Sequence, residues 1–180
     1  INTFVSPYFK GVCSNIRSYL EQSIRSMMKA NKQIGVVLSG PGSSIIAIIA
    51  SRLLKQWNKT AKLNTFSIGS DKEWAEKVAN LCESNHCHVE VTDYQMIESL
   101  TFVVKVVETY DIFTVRYAIK QYLLAQWISS NTNVKVLLVD DGFDPLTGGY
   151  KYFQKAPSAK EMHEENCRLL DEMYQFDIQR

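Results

Sequence analysis

Proline and glycine are scarce in this chain, four and eight among 180 residues, which excludes collagen-like and Pro- or Gly-rich low-complexity architectures. Cysteine is sparse too. Cys13, Cys82, Cys87 and Cys167 form no CxxC pair, so no disulfide framework is expected and free thiols in a reducing compartment are. Neither sign of charge is in excess: 20 Lys and Arg against 19 Asp and Glu leave +1, with no bulk pull toward nucleic acid or a membrane surface. Charged or polar residues interrupt every apolar run before it reaches membrane-spanning length. The opening INTFVSPYFKGV lacks the basic start and long apolar middle of a signal peptide, so a cytoplasmic protein is expected. The first residue is Ile1, not Met, and a piece of a longer protein is therefore expected. Without a secretory signal the sequon at Asn58-Lys59-Thr60 means little. Cys82, His86 and His88 are zinc-ligand types, but a further ligand at sensible spacing is missing.

What is present is apolar patterning. Val12, Ile16, Tyr19, Leu20, Ile24 and Met27 or Met28 recur at helical steps, which predicts an amphipathic helix over 10–30. Short β-branched or apolar runs predict strands over 33–39, 63–68, 88–91 and 134–139. Helices are expected over 43–57, 71–82 with Asp71 as N-cap, 93–108, 113–129 and 158–176, the last opened by Pro157 and Ser158. Strands alternating with helices imply right-handed crossovers and an α/β, doubly wound, mostly parallel sheet with helices on both faces. Ligands bind such sheets beyond the carboxyl ends of the strands. Three strand ends are therefore candidates: SGPGSS, SIGSD and VDDGFD.

The segments VVLSGPGSS, TFSIG, VETYDIFTVR, GGYKYFQKAPS and LLDEMYQFDIQR, in that order, resemble the synthetase domain of glutamine-dependent asparagine synthetases. The resemblance covers nearly the whole chain and implies the PP-loop ATP pyrophosphatase fold. It implies an activity in which ATP activates the aspartate side chain as an acyl-adenylate and ammonia displaces AMP. It also implies a single synthetase domain over 1–180, without the family's N-terminal glutaminase domain and without its C-terminal end.

The resemblance assigns residues, and at the phosphate site this chain departs from it. The family's SGGLDSS loop holds pyrophosphate on backbone N–H groups and a helix N-terminus, and its Asp binds Mg²⁺. Here Ser39, Gly40, Ser43 and Ser44 match, while Pro41-Gly42 replace Gly-Leu-Asp. The loop is shorter, its carboxylate is gone, and Pro41 has no N–H to donate. In the last loop, Val139 and Asp140 stand where the family has Ser and Gly. Asp141 stands for its Glu, Gly142 matches, Phe143 replaces a small residue and Pro145 an acid. Asp144 is kept and is the remaining Mg²⁺ ligand candidate. Read from the residues alone, the same stretch is turn chemistry, with Asp144 capping a helix. Thr65 to Gly69 matches the strand bordering adenine, with Ile68 against the ring. Glu108, Tyr110, Asp111, Thr114 and Arg116 match the substrate-side segment, and as plain architecture would be a helix corner with Arg116 paired to Asp111 or Glu108. Gly148, Gly149, Tyr150, Tyr152, Phe153 and Lys155 match an aromatic corner.

Fold-building residues are thus kept while phosphate and metal contacts are altered together. The expectation is a pseudoenzyme: a binding, scaffold or structural module, a captured viral gene or a recruited subunit, with no cofactor and with a protein partner or self-assembly. The competing expectation is an active AMP-forming asparagine synthetase fragment that uses ATP and Mg²⁺, with Asp141 and Asp144 at the metal. A nucleotide- or RNA-sensing module is a third, without support from net charge.

Overall fold

The computed structural model describes residues 7–28, 33–70 and 72–178. Asp71, the expected N-cap of the helix over 71–82, lies outside the described residues. Four strands form one sheet: β1 (Ile34–Val37), β2 (Asn64–Ile68), β3 (Asn85–Val89) and β4 (Val136–Leu138), in the order β3-β2-β1-β4. Every pairing is parallel, with Val36 opposite Thr65 and Leu138 and Phe66 opposite Cys87. The α/β parallel architecture read from the sequence is the one observed.

Helices cover both faces. On one side α1 (Pro7–Met27), α2 (Pro41–Trp57) and α3 (Lys72–Cys82) bury Ile24, Val36, Leu38, Ala47, Leu53, Leu63 and Ala79 in one cluster. On the other, α5 (Ile112–Asn131) seals Val37, Phe66, Val89, Leu124 and Ile128, while α4 (Asp93–Val107) packs Val103 against Val115 and Ile119. Full burial of one such aliphatic side chain stabilises by about 1.5–3 kcal/mol. Local chemistry sets the helix ends. Thr92 accepts the Gln95 N–H at 3.3 Å while the Gln95 side chain accepts the Thr92 N–H at 2.9 Å, a capping box opening α4. The absence of a side chain at Gly35 lets the sheet meet α5's cluster, since a Cβ there would sit 2.7 Å from Phe66 Cε2.

The residues divide into two compact units, one up to Val139 and one from Asp140 onward. In the second, α6 (Phe143–Thr147) and a 3-10 turn (Lys151–Lys155) precede α7 (Ala159–Ile178). Phe153 is buried, its ring stacked on Tyr152 with centroids 4.7 Å apart, which is the aromatic corner expected there. The Tyr152 hydroxyl donates to Glu165 at 2.9 Å, and Arg168 donates to both Glu165 and Glu172, so the turn is tied to α7.

Two boundaries differ from expectation. The third strand runs Asn85–Val89, not 88–91, because His86 and His88 find hydroxyl partners on β2 and need no apolar face. Gly142 and Gly148, with φ of 87° and 65°, bracket the short helix α6, which starts ahead of the helix that Asp144 was expected to cap. No helix among the described residues is long and apolar enough to cross a membrane.

Candidate functional site

The chain leaves β1 through Leu38, whose N–H donates to the Phe66 carbonyl at 2.7 Å, and turns at Ser39-Gly40 into α2. Pro41 occupies the first helical position, where its fixed φ suits the helix and its missing N–H costs the helix nothing. For an anion the same proline is one donor fewer. Ser43 is fully buried. Its hydroxyl accepts the N–H of Ser39 at 2.9 Å and the N–H of Gly40 at 3.0 Å, and donates to the Gly40 carbonyl at 2.9 Å. The Ser39 hydroxyl also donates to this oxygen, at 3.5 Å. A hydroxyl has two acceptor sites and one hydrogen, so these partners leave it no capacity to spare. The Ser44 hydroxyl donates to the same Gly40 carbonyl at 2.9 Å. The structure therefore brings Ser39, Gly40, Ser43 and Ser44 together at the carboxyl edge of β1, with two loop N–H groups directed at the chain's own serine. No carboxylate lies within the segment Ser39 to Ser44.

Beside it, β2 ends at Ile68 and turns at Gly69, whose φ of 92° favours glycine. Ile68 packs with the cluster that α5 covers. Lys120 of α5 reaches this strand end, its Nζ lying 3.7 Å from where a Gly69 Cβ would be. Sequence reasoning missed Lys120, because nothing in α5's pattern separates it from a solvated lysine.

Asp141, Gly142 and Asp144 lie in the second unit. The Phe143 N–H donates to the Asp140 carbonyl at 3.0 Å, and Gly142 forms the left-handed corner that opens α6. Asp144 does not cap that helix, as the plain turn reading held; Gly142 takes the cap position. Asp144 is exposed and lies inside α6, its carboxylate close over Gly149, where a Cβ would meet Oδ1 at 2.3 Å. Asp141 is exposed and Phe143 half-buried. Among the described residues no group of three or more His, Cys, Asp or Glu comes together to hold a metal. Cys82 is buried in the α1–α2–α3 cluster, and burial pushes its thiol above the ordinary range.

On the expected substrate side, Asp111 caps α5: its carboxylate accepts the Thr114 N–H and hydroxyl, each at 2.8 Å. Those bonds hold its carboxyl below the usual carboxylate range. Arg116 is exposed, and no ion pair joins it to Asp111 or Glu108. The expected Arg116 pair is thus replaced by a cap, because the first-turn N–H groups of α5 compete for the same carboxylate.

Residues 15–178 match the family model described as asparagine synthase. The chain is 40% identical over 174 residues to the glutamine-hydrolyzing asparagine synthetase of Gallus gallus, covering 94% of this chain and 31% of that protein. To the human protein of that name it is 37% identical over the same shares. To the probable asparagine synthetase of Acanthamoeba polyphaga mimivirus it is 35% identical over 176 residues, 97% of this chain and 32% of that one. The chain spans about a third of the length of these relatives.

Proposed function

Since the chain belongs to the asparagine synthase family, we propose that it is an asparagine-synthetase-like domain that has lost ATP-dependent amidation and serves as a binding, scaffold or structural module. The observation that carries this is Ser43. Two loop N–H groups that could face pyrophosphate oxygens, those of Ser39 and Gly40, are satisfied by the buried Ser43 hydroxyl. A ligand would have to displace two hydrogen bonds that cost nothing to keep. Magnesium would find no carboxylate in the loop, and a triphosphate without its metal faces uncompensated charge. The residues present do not fit Mg²⁺–ATP, so no catalytic step is assigned to them.

A module of this kind acts through a protein partner or self-assembly in the cytoplasm. Net charge of +1 gives no attraction to a polyanion, whereas α4 and α5 leave Phe102, Val106, Ile112 and Phe113 exposed. Sedimentation velocity across a concentration series separates self-association from a heterologous partner.

The second reading is an active, ATP- and Mg²⁺-dependent synthetase fragment, with Asp141 and Asp144 at the metal and missing groups supplied by another chain. The 35–40% identity to proteins named asparagine synthetases favours it. The test is pyrophosphate release from ATP, Mg²⁺, aspartate and ammonia. No release above the protein-free rate is expected; aspartate-dependent release would establish the second reading instead.

A further inference from the structure

On the α3 face of the sheet, outside the loop just described, two histidines of the edge strand β3 share hydroxyls of β2. Thr65 and Ser67 are buried, and His86 and His88 are half-buried beside them. The contacts form one chain. Ser84 Oγ bonds the Ala79 carbonyl at 3.2 Å, Thr65 Oγ1 meets Ser84 Oγ at 2.7 Å and His86 Nδ1 at 3.1 Å, and Ser67 Oγ meets His86 Nε2 at 3.2 Å and His88 Nδ1 at 2.8 Å.

Each hydroxyl has one hydrogen, and a carbonyl only accepts. Ser84 therefore spends its hydrogen on Ala79, and Thr65 must donate to Ser84. With Thr65's hydrogen used, His86 Nδ1 carries the hydrogen and donates to Thr65. In neutral His86, Nε2 is then a lone pair, and Ser67 donates to it. Ser67's hydrogen is now used, so His88 Nδ1 must donate to Ser67. Both neutral histidines are thus fixed as Nδ1–H tautomers by the chain of partners.

We propose that His86–Ser67–His88 is a one-proton switch: the folded edge strand accommodates a single proton on the pair, and a second releases β3 from β2. A proton on His88 Nε2 leaves every bond in place. A proton on His86 Nε2 turns a second N–H toward Ser67. The Ser67 hydrogen then loses its acceptor unless His88 surrenders the Nδ1 hydrogen, which a charged His88 cannot do. Two like charges would also lie within hydrogen-bond reach of one oxygen. Burial first, and the neighbouring His88 second, hold His86 below its ordinary 6.5, while Glu76 of α3 and a hydrogen bond to the Thr65 backbone pull the other way. The facing residues of β2 carry no charge, and Lys72 of α3 is engaged by Glu90 at 3.2 Å. A base held below its unfolded value binds its proton better in the unfolded chain, so stability falls as pH drops below about 6.5. Strand β3 is the element released because β2 is its one neighbour in the sheet. This inference stands apart from the fate of the ATP loop.

The test is imidazole ¹H–¹⁵N NMR with amide hydrogen exchange between pH 8 and 5. At pH 8 both rings should show the Nδ1–H pattern. The β3 amides should stay protected while the pair carries one proton, and their exchange should accelerate only where the second is taken up. In His88→Gln the titration of His86 should move up toward 6.5. Should that variant fold poorly, Ser67→Ala gives the second readout: the shared acceptor is gone, only charge repulsion between the rings remains, and the Nδ1–H pattern at His88 is no longer enforced at pH 8. An Nε2–H pattern at His88 at pH 8, or an ordinary His86 titration in the unaltered protein, overturns the proposal.

Discussion

Replacing Ser43 by Ala removes one oxygen and nothing else of consequence to packing, so its effect can be worked from the loop. Hydrogen bonds from Ser39 and Gly40 end on that oxygen, and two of the partners are backbone donors. Ser43 is fully buried, so water cannot replace the hydroxyl without opening the turn. An unsatisfied buried donor costs about 1–3 kcal/mol, and loss of a helix-cap hydroxyl typically costs about 1 kcal/mol. The two N–H groups share one acceptor and relax together, so the costs are not additive. We expect a loss of about 2 kcal/mol, which is about 4–8 °C in melting temperature for a chain of this size. The control is Ser44→Ala, whose half-buried hydroxyl makes one bond to the Gly40 carbonyl and should cost under about 1 kcal/mol. Thermal denaturation followed by circular dichroism reads both. Added pyrophosphate should recover part of the loss in Ser43→Ala, because the freed amides then have an anion to bind, and should leave the unaltered protein's melting point where it is. If Ser43→Ala melts with the unaltered protein, the hydroxyl does not hold the loop and the reasoning fails.

Other expected outcomes follow from the same geometry. Gly35→Ala places a Cβ 2.7 Å from Phe66 Cε2 and 3.1 Å from Leu137 Cδ2, and overpacking of about 1–3 kcal/mol should appear as a lower urea midpoint. Asp111→Ala removes the cap of α5 and should cost about 1 kcal/mol in the same assay, without any change in ligand binding. Glu165 is held down to about 2 by hydrogen bonds from Arg168 and then Tyr152, against an ordinary 4.5. A depressed carboxyl stabilises the fold above its unfolded value and loses that contribution as pH falls toward the folded one. Tyrosine near-ultraviolet dichroism should therefore change between pH 4.5 and about 2, and the change should vanish in Glu165→Gln.

Much of the scaffold was legible because burial imposes period. The apolar, β-branched run IGVV suits only a strand of a sheet covered on both faces, and α2's apolar first half could pack only against it. Strand β3 was misplaced for the opposite reason. Its segment NHCHV is polar by composition, and only the hydroxyls of Thr65 and Ser67 make that polarity fit a sheet. The bounds of the corner helix α6 were misplaced since two left-handed glycines, not periodicity, define them. At the candidate site the missing acid and the proline could be read from residues alone. That Ser43 itself takes up the loop amides could not, because a serine at a helix start is equally ready to face a ligand or its own backbone.

Isothermal titration of the chain with ATP in excess Mg²⁺ tests the central claim most directly. The account predicts no heat of binding up to millimolar nucleotide; saturable binding in the micromolar range would contradict it.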